Sequence, residues 1–425
     1  MQKTRFDNIG ETLYSAQLDN GLRLRVIPKP GFSAAYAVFA TDYGGAHRRF
    51  SVDGRMTDTP AGVAHYLEHK MFDLPDGDNA LALLSANGAD PNAFTSSGMT
   101  AYYFQCTEHF EDNLRLLLHF VSTPYFTAET VQKEQGIIAQ EIRMGEDDPG
   151  TVLYYGLLKM LYARHPIRDR VAGTVESIAQ ITEQTLYDCH RVFYAPSNMV
   201  LCVEGDVDPD RVAAIAAEVL PTERAPIPEA DFGEAESLLP ARQLLELEMP
   251  VSAPQFLIGA KLPVETEGEA ALRQRLAATL ALRALLGTSS PFYTQLYGKG
   301  LLNRDYDYEA DFSAGTGTVI IGGESPDPEA VFAALRDAVA TVTEKGLDWG
   351  RFERAKRASL GSRLRGLEDF ESVCLSTATG VFDGYCAFDA PAVLETVTRA
   401  ECEAFIRENL APERLALAVM RRKGM

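Results

Sequence analysis

From Tyr14 to Ile27, apolar and polar residues alternate in two short runs on either side of Asp19-Asn20-Gly21. Asn-Gly between β-rich runs is the strongest short hairpin signal, so the chain is expected to open with a β-hairpin. Ala34 to Ala40 reads as a further strand. Pro60 then marks a change of period, and Ala61 to Phe72 takes helical spacing with the proline in its first turn. Ala80 to Asn87 reads as a helix ended by Asn87-Gly88, Ala101 to Cys106 as a β-rich run, and Glu108–Ser122 and Glu129–Met144 as amphipathic helices. Sheet and helix are mixed without regular alternation, which indicates an α+β fold.

Residues 221 to 243 concentrate proline, acidic and small residues, the composition of an extended linker. They divide the chain into a domain over 1–220 and a second over 244–425. The second runs strand (Gln255 to Ala260), long helix (Glu269 to Leu286), β-rich segment (Tyr306 to Gly323) and helices (Pro328 to Lys345, Arg351 to Leu367). That order echoes the first and predicts a diverged internal duplication. All seven histidines lie in the first half, so any histidine chemistry belongs there and the second domain is expected to lack a metal site.

With 425 residues, 46% of them hydrophobic and 24% charged, the chain is long enough for two cores and typical of a globular protein. Forty basic residues against 60 acidic ones leave a net charge of −20, a field that repels phosphate backbones and anionic lipid. Neither nucleic acid nor a membrane is an expected partner. The first residues have no signal-peptide core, and no apolar run reaches the ~18 residues of a membrane span. A cytoplasmic protein is expected. Six scattered cysteines with no Cys-x-x-Cys pair fit reduced structural thiols.

Chemistry concentrates in Gly62-Val-Ala-His-Tyr-Leu-Glu-His-Lys-Met-Phe72. His65, Glu68 and His69 fall at i, i+3 and i+4 of the expected helix and share one face. Two imidazoles one turn apart can chelate Zn²⁺ at ~2.0 to 2.1 Å, and a catalytic zinc needs a third protein ligand. The helix Glu129–Met144 offers Glu134 and Glu141, seven apart and therefore on one face, and Glu141 can complete the site with Glu134 behind it. Glu68, beside the metal without binding it, suits a general base.

His65-Tyr-Leu-Glu-His69, followed 72 positions later by Glu141, resembles the inverted zinc motif of the pitrilysin, insulin-degrading enzyme and mitochondrial processing peptidase family. Asn92-Ala-Phe-Thr95 and Thr100-Ala-Tyr102 are similar to that family's Asn-Ala-x-Thr and Thr-x-Tyr signature. The resemblance implies a zinc endopeptidase with His65, His69 and Glu141 as ligands of one zinc per chain, Glu68 as catalytic base and Glu134 supporting the site. It further implies two similar domains, each a mostly antiparallel sheet packed with helices, forming half of a clam-shell chamber that admits unstructured peptides. Asn92, Ala93, Phe94 and Thr95 are then expected to offer a strand edge to substrate main chain.

The chain departs from the pattern in its second half. Active family members present an arginine and a tyrosine seven apart, and here Tyr297 stands where arginine is expected and Arg304 where tyrosine is. This resembles the zinc-bearing subunit of bacterial two-subunit members, in which a sister chain supplies that pair, so the expected partner is a similar chain in a heterodimer. The rival reading is a structural or peptide-binding subunit of the same family. Such chains commonly lose motif residues, whereas His65, Glu68, His69 and Glu141 are all present.

Overall fold

The computed structural model describes residues 1–265 and 267–424. The expected hairpin is β2 (Glu11–Gln17) with β3 (Arg23–Pro28), preceded by β1 (Gln2–Phe6). It is paired from Tyr14↔Val26 to Gln17↔Arg23, and the Asn20 side chain holds the Leu22 amide in the turn. Next come β4 (Ala35–Thr41), a small ribbon of β5 (Arg49–Val52) and β6 (Arg55–Asp58), and the helices α1 (Val63–Lys70) and α2 (Ala80–Ala86). A second hairpin, β7 (Ala89–Thr95) and β8 (Thr100–Cys106), leads into α3 (Phe110–Ser122), α4 (Ala128–Asp147) and α5 (Pro149–Leu161). The half closes with α6 (Val175–Ile178), α7 (Glu183–Phe193), β9 (Met199–Gly205) and α8 (Pro209–Val219).

The second half begins after β10 (Glu229–Ala230) with β11 (Leu244–Met249), β12 (Gln255–Leu262), α9 (Gly268–Leu286) and α10 (Pro291–Gly298). The β-rich segment resolves into β13 (Asp307–Ser313) and β14 (Thr316–Glu324), joined at Ala314 and Gly315, both at positive φ as a tight hairpin requires. Then follow α11 (Pro328–Lys345), α12 (Trp349–Gly366), α13 (Phe370–Phe382), α14 (Ala390–Thr396), α15 (Arg399–Asn409) and β15 (Ala416–Arg422). No helix among the described residues is long and apolar enough to cross a membrane.

The first sheet has the order β1-β2-β3-β9-β4-β8-β7 and the second β11-β15-β12-β14-β13. Each is antiparallel except at one junction, β3 with β9 and β11 with β15. Setting aside β1 and β2, the two orders are the same: first strand, last, second, fourth, third. The duplication expected from element order is therefore present in the topology.

The packing units are not contiguous in sequence. One comprises Met1–Ile142, Arg170–Phe232 and Arg365–Phe388, and the other Arg143–Asp169, Gly233–Leu364 and the residues from Asp389 on. Each sheet takes a helix from the opposite half of the chain. In the first unit α13 lays Val373, Cys374 and Ala378 on Val38, Ala40, Val200 and Cys202 of β4 and β9. In the second, α5 lays Leu153, Leu157 and Leu161 on Ala416, Ala418 and Met420 of β15. The same helix crosses β12 at Gly259, where an added Cβ would sit 2.9 Å from the Leu157 and Leu161 side chains and oblige them to shift. Domains running linearly over 1–220 and 244–425 do not describe these two helices: an amphipathic helix specifies an apolar face, not the sheet that covers it.

The stretch 221–243 is extended, as its composition indicates, but it is fastened. Glu229 and Ala230 pair with Ser51 and Phe50, and the Glu236 carboxylate accepts the backbone N–H groups of Ala163, Arg164 and His165 at 2.6 to 2.7 Å. Burial works to raise the Glu236 carboxyl, yet these donors and Lys261 hold it below its ordinary range.

Because Leu157 is fully buried in the second unit, Leu157→Ala should cost ~2–5 kcal/mol of stability. Hydrogen exchange should then show lost protection in β11, β12 and β15 with the seven-stranded sheet unchanged. Equal loss in the seven-stranded sheet would contradict the exchanged packing.

Candidate metal centre

The helix α1 starts at Val63, not at Ala61, and Pro60 lies outside it. The cause is Gly62, whose φ of 99° is left-handed and breaks the helix, and whose missing Cβ would otherwise stand 2.7 Å from the Ala172 carbonyl. From that start α1 turns Val63, Ala64, Tyr66 and Leu67 into the core. His65, Glu68 and His69 are left on the remaining face. The Tyr66 hydroxyl donates to the Val131 carbonyl of α4, and Val131, Ile138 and Ile142 bury the matching side of that helix. Docked in this way, α4 presents Glu134 and Glu141 to the two imidazoles.

His65 Nε2 lies 3.4 Å from Glu141 Oε1, His69 Nε2 lies 3.5 Å from Glu141 Oε2, and the two rings are 4.6 Å apart. One ligand atom from each of the three residues falls within 4.8 Å of the others, the one such group among the described residues. Tetrahedral coordination at ~2.0–2.1 Å places neighbouring donor atoms about 3.3–3.5 Å apart, so the nitrogen–carboxylate spacings fit a zinc ion. Glu134 Oε1 lies 3.0 Å from His69 Nδ1, a contact that occupies this nitrogen and leaves Nε2 as the one to ligate a cation. Among the described residues His65 Nδ1 is buried with no such partner, so of the two rings His69 is the one oriented from behind.

Without a metal ion these groups pair with one another. Burial acts to lower the His69 pKa, but hydrogen bonds to Glu134 and Glu141 outweigh it and push the imidazole up to about 9. Hydrogen bonds from His65 and His69 hold the Glu141 carboxyl well below the carboxylate range, and His69 lowers Glu134 likewise. Three carboxylates, Glu68 included, stand around two imidazoles, a donor set that suits a divalent cation.

Glu68 makes a different contact: its Oε2 accepts from the Thr95 hydroxyl at 2.6 Å. The strand β7 lies at the sheet edge, paired only with β8, so the free edge expected around Asn92–Thr95 is present. Its pleat divides those residues. Ala93 packs with the core beneath α1 and Thr95 reaches Glu68, while Phe94 belongs to the opposite face with Tyr36 and Tyr103. The hydroxyl contact is the site feature that motif reading missed, although strand alternation already puts Thr95 on the Ala93 face. The second unit carries Tyr297, about half exposed on α10 and stacked on Tyr293, and Arg304, exposed in the connection to β13.

Comparison with known proteins gives a consistent result. Residues 53–175, which carry both histidines and all three glutamates, match the family described as Insulinase (Peptidase family M16), and residues 180–359 match the Peptidase M16 inactive domain. The chain is 37% identical over 420 residues to the uncharacterized zinc protease YmfH of Bacillus subtilis, covering 97% of each chain. A crystal structure described as an M16-like peptidase from Alicyclobacillus acidocaldarius is 35% identical and superposes with a TM-score of 0.94 over 97% of this chain and 99% of that one. The periplasmic protease PqqL of Escherichia coli shares the fold at 18% identity and a TM-score of 0.73, with 96% of this chain matching 47% of that longer one.

Purified protein should carry about one zinc per chain, and His65→Ala or Glu141→Ala should lose it on dialysis. Glu134→Gln, which removes only the support behind His69, should keep the site but weaken zinc affinity by ~10–100-fold in a chelator competition. Full zinc occupancy in both ligand mutants would dismiss the ligand set.

Proposed function

The chain belongs to the insulinase family of M16 peptidases, and on that premise we propose that it is the zinc-bearing subunit of an endopeptidase acting on unstructured peptides. The observation that carries this reading is the convergence of His65, His69 and Glu141 with Glu68 beside them on the same helix face. A zinc ion at the three ligands supplies Lewis acidity, polarising the scissile carbonyl and making water easier to deprotonate. Glu68 takes a proton from the attacking water as its oxygen bonds to the carbonyl carbon, then delivers that proton to the amide nitrogen as the C–N bond breaks. Glu134 keeps His69 in register, and the free edge of β7 receives the substrate main chain, which leaves the sequence of the peptide loosely specified.

A second chain completes the enzyme in this proposal. The departure at Tyr297 and Arg304 from the arginine and tyrosine of active relatives supports it. So does the recurrence of this fold as one half of a longer protease chain. Such a partner contributes the charge that stabilises the developing oxyanion within a chamber lined by both chains, a contribution worth ~10²–10³-fold in rate.

Glu68→Gln should retain zinc yet abolish cleavage of an internally quenched unstructured peptide, because it deletes a base and not a ligand. Undiminished turnover by that variant would falsify the mechanism. The zinc-loaded chain alone should be nearly inactive and gain activity on adding its partner. Robust turnover without any partner, lost on Arg304→Ala, would instead establish a self-sufficient enzyme.

A further inference from the structure

The Thr95 hydroxyl stands between the Glu68 carboxylate and the Thr100 hydroxyl. Its neighbour across the β7–β8 pair is Thr100, whose Oγ1 lies 2.8 Å from the Tyr43 carbonyl and 3.3 Å from Thr95 Oγ1. The carbonyl can only accept, so the Thr100 proton is committed there. A carboxylate oxygen can only accept, and at 2.6 Å Glu68 Oε2 is much nearer than Thr100 Oγ1, so Thr95 donates to Glu68 in a separation typical of a charge-assisted bond.

The donor is also immobile. Thr95 is β-branched and stiff at χ1. The turn that follows it is closed by Ser96, whose Oγ accepts the Gly98 and Met99 amides, and is fastened to the 44–46 loop by Gly45 N–H to Ser96 O and Ala46 N–H to Ser97 O, both at 2.9 Å. Tyr43, which anchors Thr100, is buried and stacked on Phe193 at 3.8 Å. A glutamate carboxyl has a broad terminal torsion and would otherwise swing between neighbours. Here a rigid strand end holds one of its two oxygens.

We propose that Thr95 is a positioning residue that clamps Oε2 of Glu68, so that the proton of the attacking water is taken up at Oε1 and passed from there to the leaving nitrogen. This rests on Glu68 being the base. It gives Thr95 a role separate from substrate binding, since its side chain is spent on the carboxylate and only its backbone can face a peptide. Losing the clamp lets the base wander, and a misplacement of ~1 Å can cost on the order of 10²-fold in rate.

The test compares Thr95→Val, which keeps shape and deletes the donor, with Thr95→Ser, which keeps the donor, in the complete enzyme on an internally quenched peptide. The valine variant should retain zinc and KM while kcat falls by about 10–10²-fold. The serine variant should recover kcat to within about threefold of wild type, and Thr95→Val added to Glu68→Gln should change nothing further. Independently of turnover, the carboxylate band isolated by infrared difference between wild type and Glu68→Gln should shift in the valine variant and not in the serine one. Wild-type kcat in Thr95→Val, with Glu68→Gln inactive, would overturn the clamp alone. Full activity in Glu68→Gln would overturn the base assignment and the clamp together.

Discussion

Everything at the metal centre depends on α1 and α4 meeting face to face. Neither helix holds a site alone: α1 brings two imidazoles and a carboxylate, and α4 brings the carboxylates that oppose them. Their contact is secured away from the chemistry by Tyr66 bonded to the Val131 carbonyl, and each helix buries its apolar side, Val63 and Leu67 of α1 and Ile138 and Ile142 of α4, in the same core. With the backbones fixed by burial, the polar face holds two carboxylates against two rings with a third carboxylate nearby. Placing these groups on packed helices rather than loops is what keeps the donor spacings near those of a tetrahedral ion.

The second unit shows what the same scaffold is without the chemistry. Its sheet repeats the order of the first, and α9 occupies the place of α1, between the second and third strands of its half. The helix α9 is built mostly of alanine, leucine and arginine and has no histidine, with most of its apolar residues buried. The likeness extends to particular residues once the strands are matched. Thr182 and Thr398 cap α7 and α15 with the same reciprocal capping box, and Ala195-Pro196 and Ala411-Pro412 open the short turns before β9 and β15. Capping and turn residues have survived because they satisfy backbone groups that every copy of the fold must satisfy.

The exchange of α5 and α13 ties each unit to residues from the other half of the chain. Each helix covers the last and second strands of the sheet it serves, β9 and β4 or β15 and β12, and so occupies equivalent places in the two units. Lys29 strengthens the first of these by joining Glu11 and the buried Glu204 while reaching the Leu367 carbonyl just before α13. Burial pushes the Glu204 carboxyl up to about 8 despite that lysine, a cost that the packing of the sheet carries.

The sequence alone was enough for whatever depends on local periodicity. Asn20-Gly21 set the hairpin, the i, i+3, i+4 spacing put His65, Glu68 and His69 on one face, and the seven-residue interval did the same for Glu134 and Glu141, because a helix or turn is specified by residues that are neighbours along the chain. Spacing also identified Glu141 as a partner of the histidines once the motif was matched, though it could not show the two helices touching. Three matters were left to the tertiary structure. Gly62 displaced the helix start past Pro60, since its backbone is left-handed and the Ala172 carbonyl leaves no room for a Cβ there. The sheets chose α5 and α13 from the opposite halves, since an apolar face does not name its partner. Thr95 was joined to Glu68 because the pleat of an edge strand and the docking of α1 meet there, a contact between residues whose separation in sequence carries no period to read.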